Sequence, residues 1–285
     1  PSLRSQASGL NTSRFRIFWN QSKPMKQIMY FMAGVLLAAG TPVTAQESVL
    51  ITQVGCVDVE TGRIRTRDVF LDGGQIREVS RRYRGPEADR MLDGTGQYLL
   101  PGLIDAHIHL FQSGGIYTRP DAIDLREFRP YETEIRQTRK DAYTQLQRYL
   151  AAGITTVLDM GGPMYHYTLR DTRPDSLPGA ELWLTGPLIS TYVPPALQVE
   201  DPPIIKAEGP EDARRLVREQ VPQKPDFIKI WYVLAGAEGP EATYDLVAAA
   251  IDESHKNGLP VAVHATQLET AKLAVQAGAD ILVHS

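Results

Sequence analysis

Two hydrophobic rhythms divide the chain. Between residues 48 and 100, short runs rich in β-formers (49–59, 68–71, 75–79 and 97–100) are separated by turn residues at Thr61-Gly62, Asp72-Gly73-Gly74 and Asp93-Gly94. Asp-Gly between such runs is a hairpin signal, because glycine supplies the positive φ that tight turns need. This predicts a small β unit over residues 46–102, too short to bury a comfortable core alone.

After Pro101-Gly102 the period changes. Apolar runs at 103–110, 154–160, 181–188, 227–233, 260–265 and 281–284 alternate with segments of helical spacing at 131–152, 210–220, 243–257 and 268–277. Continuous apolar runs read as parallel strands covered on both faces. In the first helix Ile135, Tyr143, Leu146, Tyr149 and Leu150 share one side, and glycines at 153, 258 and 278 act as stops. Strands and helices in strict alternation predict an α/β fold of the (β/α)8 TIM-barrel type. Residues 103–285 supply only six of the eight strands, so the sequence is expected to be a C-terminally truncated barrel with open edges at its first and sixth strands.

Composition narrows the picture. The 285 residues are 42% hydrophobic and 22% charged, as in ordinary globular proteins. A net charge of −4 gives no global attraction for nucleic acid or anionic lipid. Cys56 is the single cysteine, which excludes an intrachain disulfide. Residues 1–24 precede the first methionine, Met25, carry four basic residues and no acid, and read as an upstream segment outside the fold. Residues 25–45 follow the pattern of a secretory signal peptide: Lys26, an apolar run at 28–39, a Gly40-Thr41-Pro42 break, and a small residue at Ala45. A run of that length is too short for a stable membrane span, which needs roughly 20 residues. The expectation is an exported, periplasmic protein whose remaining chain, with 25 basic and 34 acidic residues, carries −9.

Candidate chemistry collects at the ends of the apolar runs. His107 and His109, two apart on the first barrel strand, point the same way near its C-terminal end, where two imidazoles could chelate a metal ion or simply bond to each other in a loop. Lys229 interrupts the fourth strand, Phe227-Ile228-Lys229-Ile230-Trp231. Burial there would favour a neutral amine, able to add carbon dioxide and become an anionic carbamate; the alternative is a lysine snorkelling to solvent. His264 and His284 end the fifth and sixth strands, as ligands or as hydrogen-bonded core histidines. Four of the six histidines thus share one position on three strands, and a lysine occupies a fourth strand.

Pro101-Gly102-Leu103-Ile104-Asp105-Ala106-His107-Ile108-His109-Leu110 resembles the strand-one signature of the amidohydrolase superfamily, as does Gly153-Ile154-Thr155-Thr156-Val157 after the first helix. Lys229, His264 and His284 follow in the order of that superfamily, and residues 48–285 are covered by the likeness. Imidazolonepropionase-related and prolidase-like members are the nearest in pattern. The resemblance implies a small β-sandwich beside the barrel and two divalent metal ions, zinc by imidazole preference. It further implies that His107 and His109 hold the more buried ion, His264 and His284 the more exposed one, and a carbamate on Lys229 bridges them. The activity implied is hydrolysis of amide, lactam or peptide C–N bonds of a small-molecule or peptide substrate by metal-activated hydroxide. The superfamily's proton-shuttling aspartate at the end of strand eight has no counterpart up to residue 285, so no catalytic acid or base is assigned. Two alternatives stand beside this reading: a non-catalytic fragment, or a hydrolase of lactones or phosphoesters.

Lesser candidates are His166, on a loop after the second strand, and Trp231 and Tyr232, each as substrate contacts or as packing. The proline-rich stretch 187–210 is either a substrate-covering connection or an irregular excursion. His255, near a helix end, reads as structural. Homo-oligomerisation is left open.

Overall fold

The structure, a computed structural model, describes residues 47–112, 123–234 and 239–284. The upstream segment and signal-peptide expectations fall outside the described residues. Two compact units are present.

The smaller unit contains the described residues up to Gln53 together with Arg67–Gly94. It is built from β1 (Val49–Val57), β2 (Ile64–Asp72), β3 (Gln75–Ser80) and β4 (Arg90–Asp93), in the sheet order β3-β2-β1-β4. The Asp72-Gly73-Gly74 turn closes an antiparallel β2–β3 hairpin, with Gly73 and Gly74 at φ 57 and 71. β1 and β4 run parallel, Val49 opposite Arg90. The Asp68 carboxylate accepts the backbone N–H groups of Gln53 and Tyr83, which fixes the middle of the sheet. Strands β1 to β4 belong to a single sheet.

The larger unit contains Val54–Thr66 and the chain from Thr95 onward. In it the C-terminal end of β1 pairs with β5 (Tyr98–Leu99). A three-stranded parallel sheet follows: β6 (Leu103–Ile108), β7 (Ile154–Asp159) and β8 (Glu181–Leu184). A five-stranded sheet of order β10-β9-β11-β12-β13 contains β9 (Leu188–Ser190), β10 (Ile204–Lys206), β11 (Ile228–Trp231), β12 (Val261–His264) and β13 (Ile281–Val283), again with parallel pairing throughout.

The third predicted strand is therefore two. Gly186 turns the chain at φ 70 with its Cα against the Tyr167 ring, leaving no room for a side chain, and Pro187 has no N–H to extend a ladder. Leu184 N–H is taken by the Asp226 carboxylate instead of a neighbouring strand. Stretch 187–210, expected to be a substrate-covering connection or an irregular excursion, contains β9, a 3-10 turn at Pro195–Leu197 and β10, with Leu188, Leu197 and Ile204 buried in one cluster.

Helices α1 (Tyr131–Ala151), α2 (Tyr165–Asp171), α3 (Pro210–Gln220), α4 (Tyr244–Lys256) and α5 (Leu268–Ala277) complete the unit. α1 begins with Glu132 and Glu134 and ends with Arg148, charges that complement its dipole. α3 starts on a proline and α5 stops at Gly278, φ 100. Val217, Val247 and Ile251 from α3 and α4 close over Ile228, Ile230, Val261 and Val263 of the sheet in the largest core cluster. Both sheets leave their strand C-termini free to carry polar groups. No helix among the described residues is long and apolar enough to cross a membrane.

Candidate functional site

β11 reads Ile-Lys-Ile-Trp, and Lys229 is 1% exposed within it. Removing an ammonium from water is costly, and burial draws the Lys229 amine down to about 7. The strand register fixes its neighbours: Lys229 pairs with Ala262 and Trp231 with His264. Strand alternation then puts Lys229, Trp231, Ala262 and His264 on one face.

The four histidines named from the sequence come together. His107 is the next-to-last residue of β6 and His109 follows the strand, their Nε2 atoms 3.2 Å apart. The His107 ring lies 4.6 Å from that of His284, and His284 lies 4.8 Å from His264. His284 occupies the left-handed region at φ 66, which histidine tolerates better than most residues, and this turn follows Val283, the last residue of β13. Burial first, then the positive charges of Lys229, His109, His284 and His264, hold His107 down to about 3. The His107 ring is thus held as a neutral nitrogen donor, the form in which imidazole binds metal.

As they stand, no three His, Cys, Asp or Glu side chains among the described residues are arranged to hold a metal ion. The rings touch each other instead. The His107–His109 spacing nevertheless suits a shared ion: two nitrogens at about 2.0–2.1 Å from a tetrahedral zinc stand about 3.4 Å apart.

A second polar feature adjoins this cluster. His109 Nδ1 lies 2.9 Å from the Gly161 carbonyl oxygen. Asp159, the last residue of β7, is 1% exposed, and its Oδ2 lies 2.5 Å from Nδ1 of His166, itself 0% exposed. His166 was expected on an open loop; it is on α2 and buried. Asp159 lies inside the apolar run 154–160; a carboxylate at the C-terminal end of a buried parallel strand was the available signal.

Trp231 is half-buried, 6.0 Å from the His264 ring and 6.3 Å from Tyr192. With Tyr192, Val233 and Leu234 it lines a cavity of about 360 Å³. Tyr232 points the other way, into the main core, and its hydroxyl donates to the Pro240 carbonyl, so it does not line this cavity. His255 binds Asp280 on the surface, Nε2 to Oδ2 2.8 Å, while Asp280 also accepts the Val261 N–H. That is a structural role, as expected.

These features define an α/β protein with its polar groups gathered at the carboxyl ends of parallel strands. Residues 98–283 match the amidohydrolase family, and the chain belongs to it. Among curated relatives, the 5'-deoxyadenosine deaminase of Methanothermobacter thermautotrophicus is 41% identical over 64 residues, 22% of this chain and 14% of that protein. The dihydroorotase of Carboxydothermus hydrogenoformans is 41% identical over 78 residues, 26% of this chain and 16% of that protein. Among solved structures, a prolidase-type protein from Bifidobacterium longum superposes with a TM-score of 0.63 at 26% identity, covering 84% of this chain and 54% of its own. The chain thus spans about half the length of that structure and a much smaller share of the curated relatives.

Proposed function

We propose that the protein is a metal-dependent hydrolase of C–N bonds in amides, lactams or peptides. The observation that carries this reading is the convergence of His107, His109, His264 and His284 around a buried, readily neutral Lys229. His107 and His109 would hold one divalent ion, His264 and His284 a second, and a carbamate formed on Lys229 would bridge them. Zinc suits imidazole donors. Such ions, when bound, supply Lewis acidity toward a carbonyl and lower the pKa of water. The chain's own contribution is to keep the His107 imidazole neutral and, by burial, to make the Lys229 amine readily lose its proton, the state that adds carbon dioxide. Trp231 and Tyr192 would receive an apolar or planar substituent of the substrate beside His264.

The family membership and the two parallel sheets support placing the larger unit in a (β/α)8 barrel, of which residues 103–285 would form six β/α units. The charge pattern of residues 25–45 supports export to the periplasm. The reading is tested by titrating the metal-free protein with zinc and assaying N-acyl amino acids, X-Pro dipeptides and cyclic ureides. Micromolar or tighter zinc binding with turnover of one of these classes is expected. Absence of zinc binding by folded protein would end the proposal.

A further inference from the structure

Asp159 and His166 are both buried, and the hydrogen bond between them is short. A carboxylate accepts and cannot donate, so His166 Nδ1–H is the donor. His166 Nε2 is buried with no hydrogen-bond partner among the described residues, so the ring meets its polar surroundings through the Asp159 edge. That edge is where the chain turns. Gly162 rests on it so closely that a Cβ there would stand 2.2 Å from His166 Nδ1 and 3.1 Å from Asp159 Oδ2. Gly161 takes φ 132, and a Cβ on it would meet Leu188 Cδ1 at 2.2 Å. The pair therefore supports a two-glycine turn that no other residues could form without displacing it.

The turn reaches the histidine cluster through a backbone carbonyl. The Gly161 carbonyl accepts from His109 Nδ1, which leaves Nε2 as the lone-pair nitrogen, the atom facing His107 Nε2. Asp159 also reaches the segment that follows β6, its Oδ1 accepting the Leu110 N–H at 3.4 Å, one residue past His109. Ile108, one residue before it, pairs with Asp159 in the ladder.

We infer that Asp159 and His166 are positioning residues: together they clamp the Gly161-Gly162 turn so that its carbonyl selects the Nδ1–H tautomer of His109 and aims Nε2 into the cluster. The inference rests on the proposed metal role of His109 for its effect on affinity, but not for its effect on the tautomer. Groups of this kind, which orient a metal-binding imidazole through its other nitrogen, typically change affinity 10- to 100-fold when removed.

The test uses the full 15N-labelled chain. Long-range 1H–15N correlations report the tautomer of each ring, and a His109→Gln variant assigns the His109 signals. In the parent protein His109 is expected to hold its proton on Nδ1. His166→Leu, which fills the volume without a donor, should shift His109 to a mixture of tautomers and weaken zinc binding by about 10- to 100-fold. His166→Asn, which retains an N–H toward Asp159, should preserve both. A folded His166→Leu protein with the parent's His109 tautomer and zinc affinity overturns the inference. If His166→Leu does not fold, Asp159→Asn replaces it, with the same shift expected and the same unchanged result decisive against the clamp. A parent protein that binds no zinc but loses the His109 tautomer in these variants would sink the metal reading and leave the clamp standing.

Discussion

Lys229 and His264 lie on the same face of adjacent parallel strands, two ladder positions apart, because Lys229 pairs with Ala262 and Trp231 with His264. The buried amine is thus directed toward the end of the sheet where the imidazoles collect, and not toward the helices behind it. A lysine placed there at the expense of stability is expected to have a use, since an apolar residue of equal length would satisfy the strand better.

Lys229→Met separates these two effects. It removes a costly buried amine, so the metal-free variant should unfold at a temperature equal to or above that of the parent. Its zinc content should fall from two ions per chain to one or fewer, measured by plasma emission after dialysis. In the parent, labelling with 13C-bicarbonate should give one carbamate carbon resonance that the variant lacks. Two retained zinc ions in Lys229→Met would show that the lysine is structural only.

Metal removal gives a second check. Dialysis against dipicolinate should abolish hydrolysis, and added zinc should restore it. In His107→Ala restoration should fail, with activity lowered by at least about 100-fold, the scale of a lost catalytic group. Undiminished hydrolysis in this variant would remove the cluster from the reaction.

Much of this site was legible in the sequence because a parallel strand buried on both faces leaves few places for a basic residue. His107, His109, Lys229 and His264 each stand out against apolar neighbours near a strand's C-terminal end; the β11–β12 ladder sets Lys229 and His264 on one face, and ring contacts through His284 join His264 to His107 of the other sheet. His284 was found for the same reason, although its left-handed backbone is a local feature that alternation does not foretell. Helices α3 and α5 have the predicted bounds because proline and glycine punctuate them. The division of the third strand was not foreseen: Glu181–Leu184 and Leu188–Ser190 read as one apolar run, and what separates them is the non-local capture of Leu184 N–H by Asp226. Asp159 and His166 were missed as a pair for a similar reason, since their contact spans a turn and a helix start that carries no side-chain cap.

Tyr232 was grouped with Trp231 in the sequence, and strand alternation separates them. The Tyr232 hydroxyl is buried and donates to the Pro240 carbonyl. Tyr232→Phe should therefore cost about 1–2 kcal/mol of stability, from the lost bond and the carbonyl left without its donor, measured by denaturant unfolding. KM and kcat should stay at parent values. A change in KM larger than twofold at unchanged stability would return Tyr232 to the substrate side.

Trp231 carries the opposite expectation. Its ring is half-buried and forms one wall of the 360 Å³ cavity with Tyr192, Val233 and Leu234, next to His264. A substrate with an aromatic or branched apolar substituent would bury that group against the ring, an interaction made equally in the bound substrate and at the transition state. Losing such uniform binding raises KM and leaves kcat in place. Trp231→Ala should accordingly raise KM for apolar substrates about tenfold, a change of about 1.4 kcal/mol, and alter KM for a glycine-bearing analogue by less than twofold. Trp231→Phe should recover most of the loss, since the cavity keeps an aromatic wall. Equal effects on both substrate classes would show that Trp231 supports the His264 strand end and does not select the substrate.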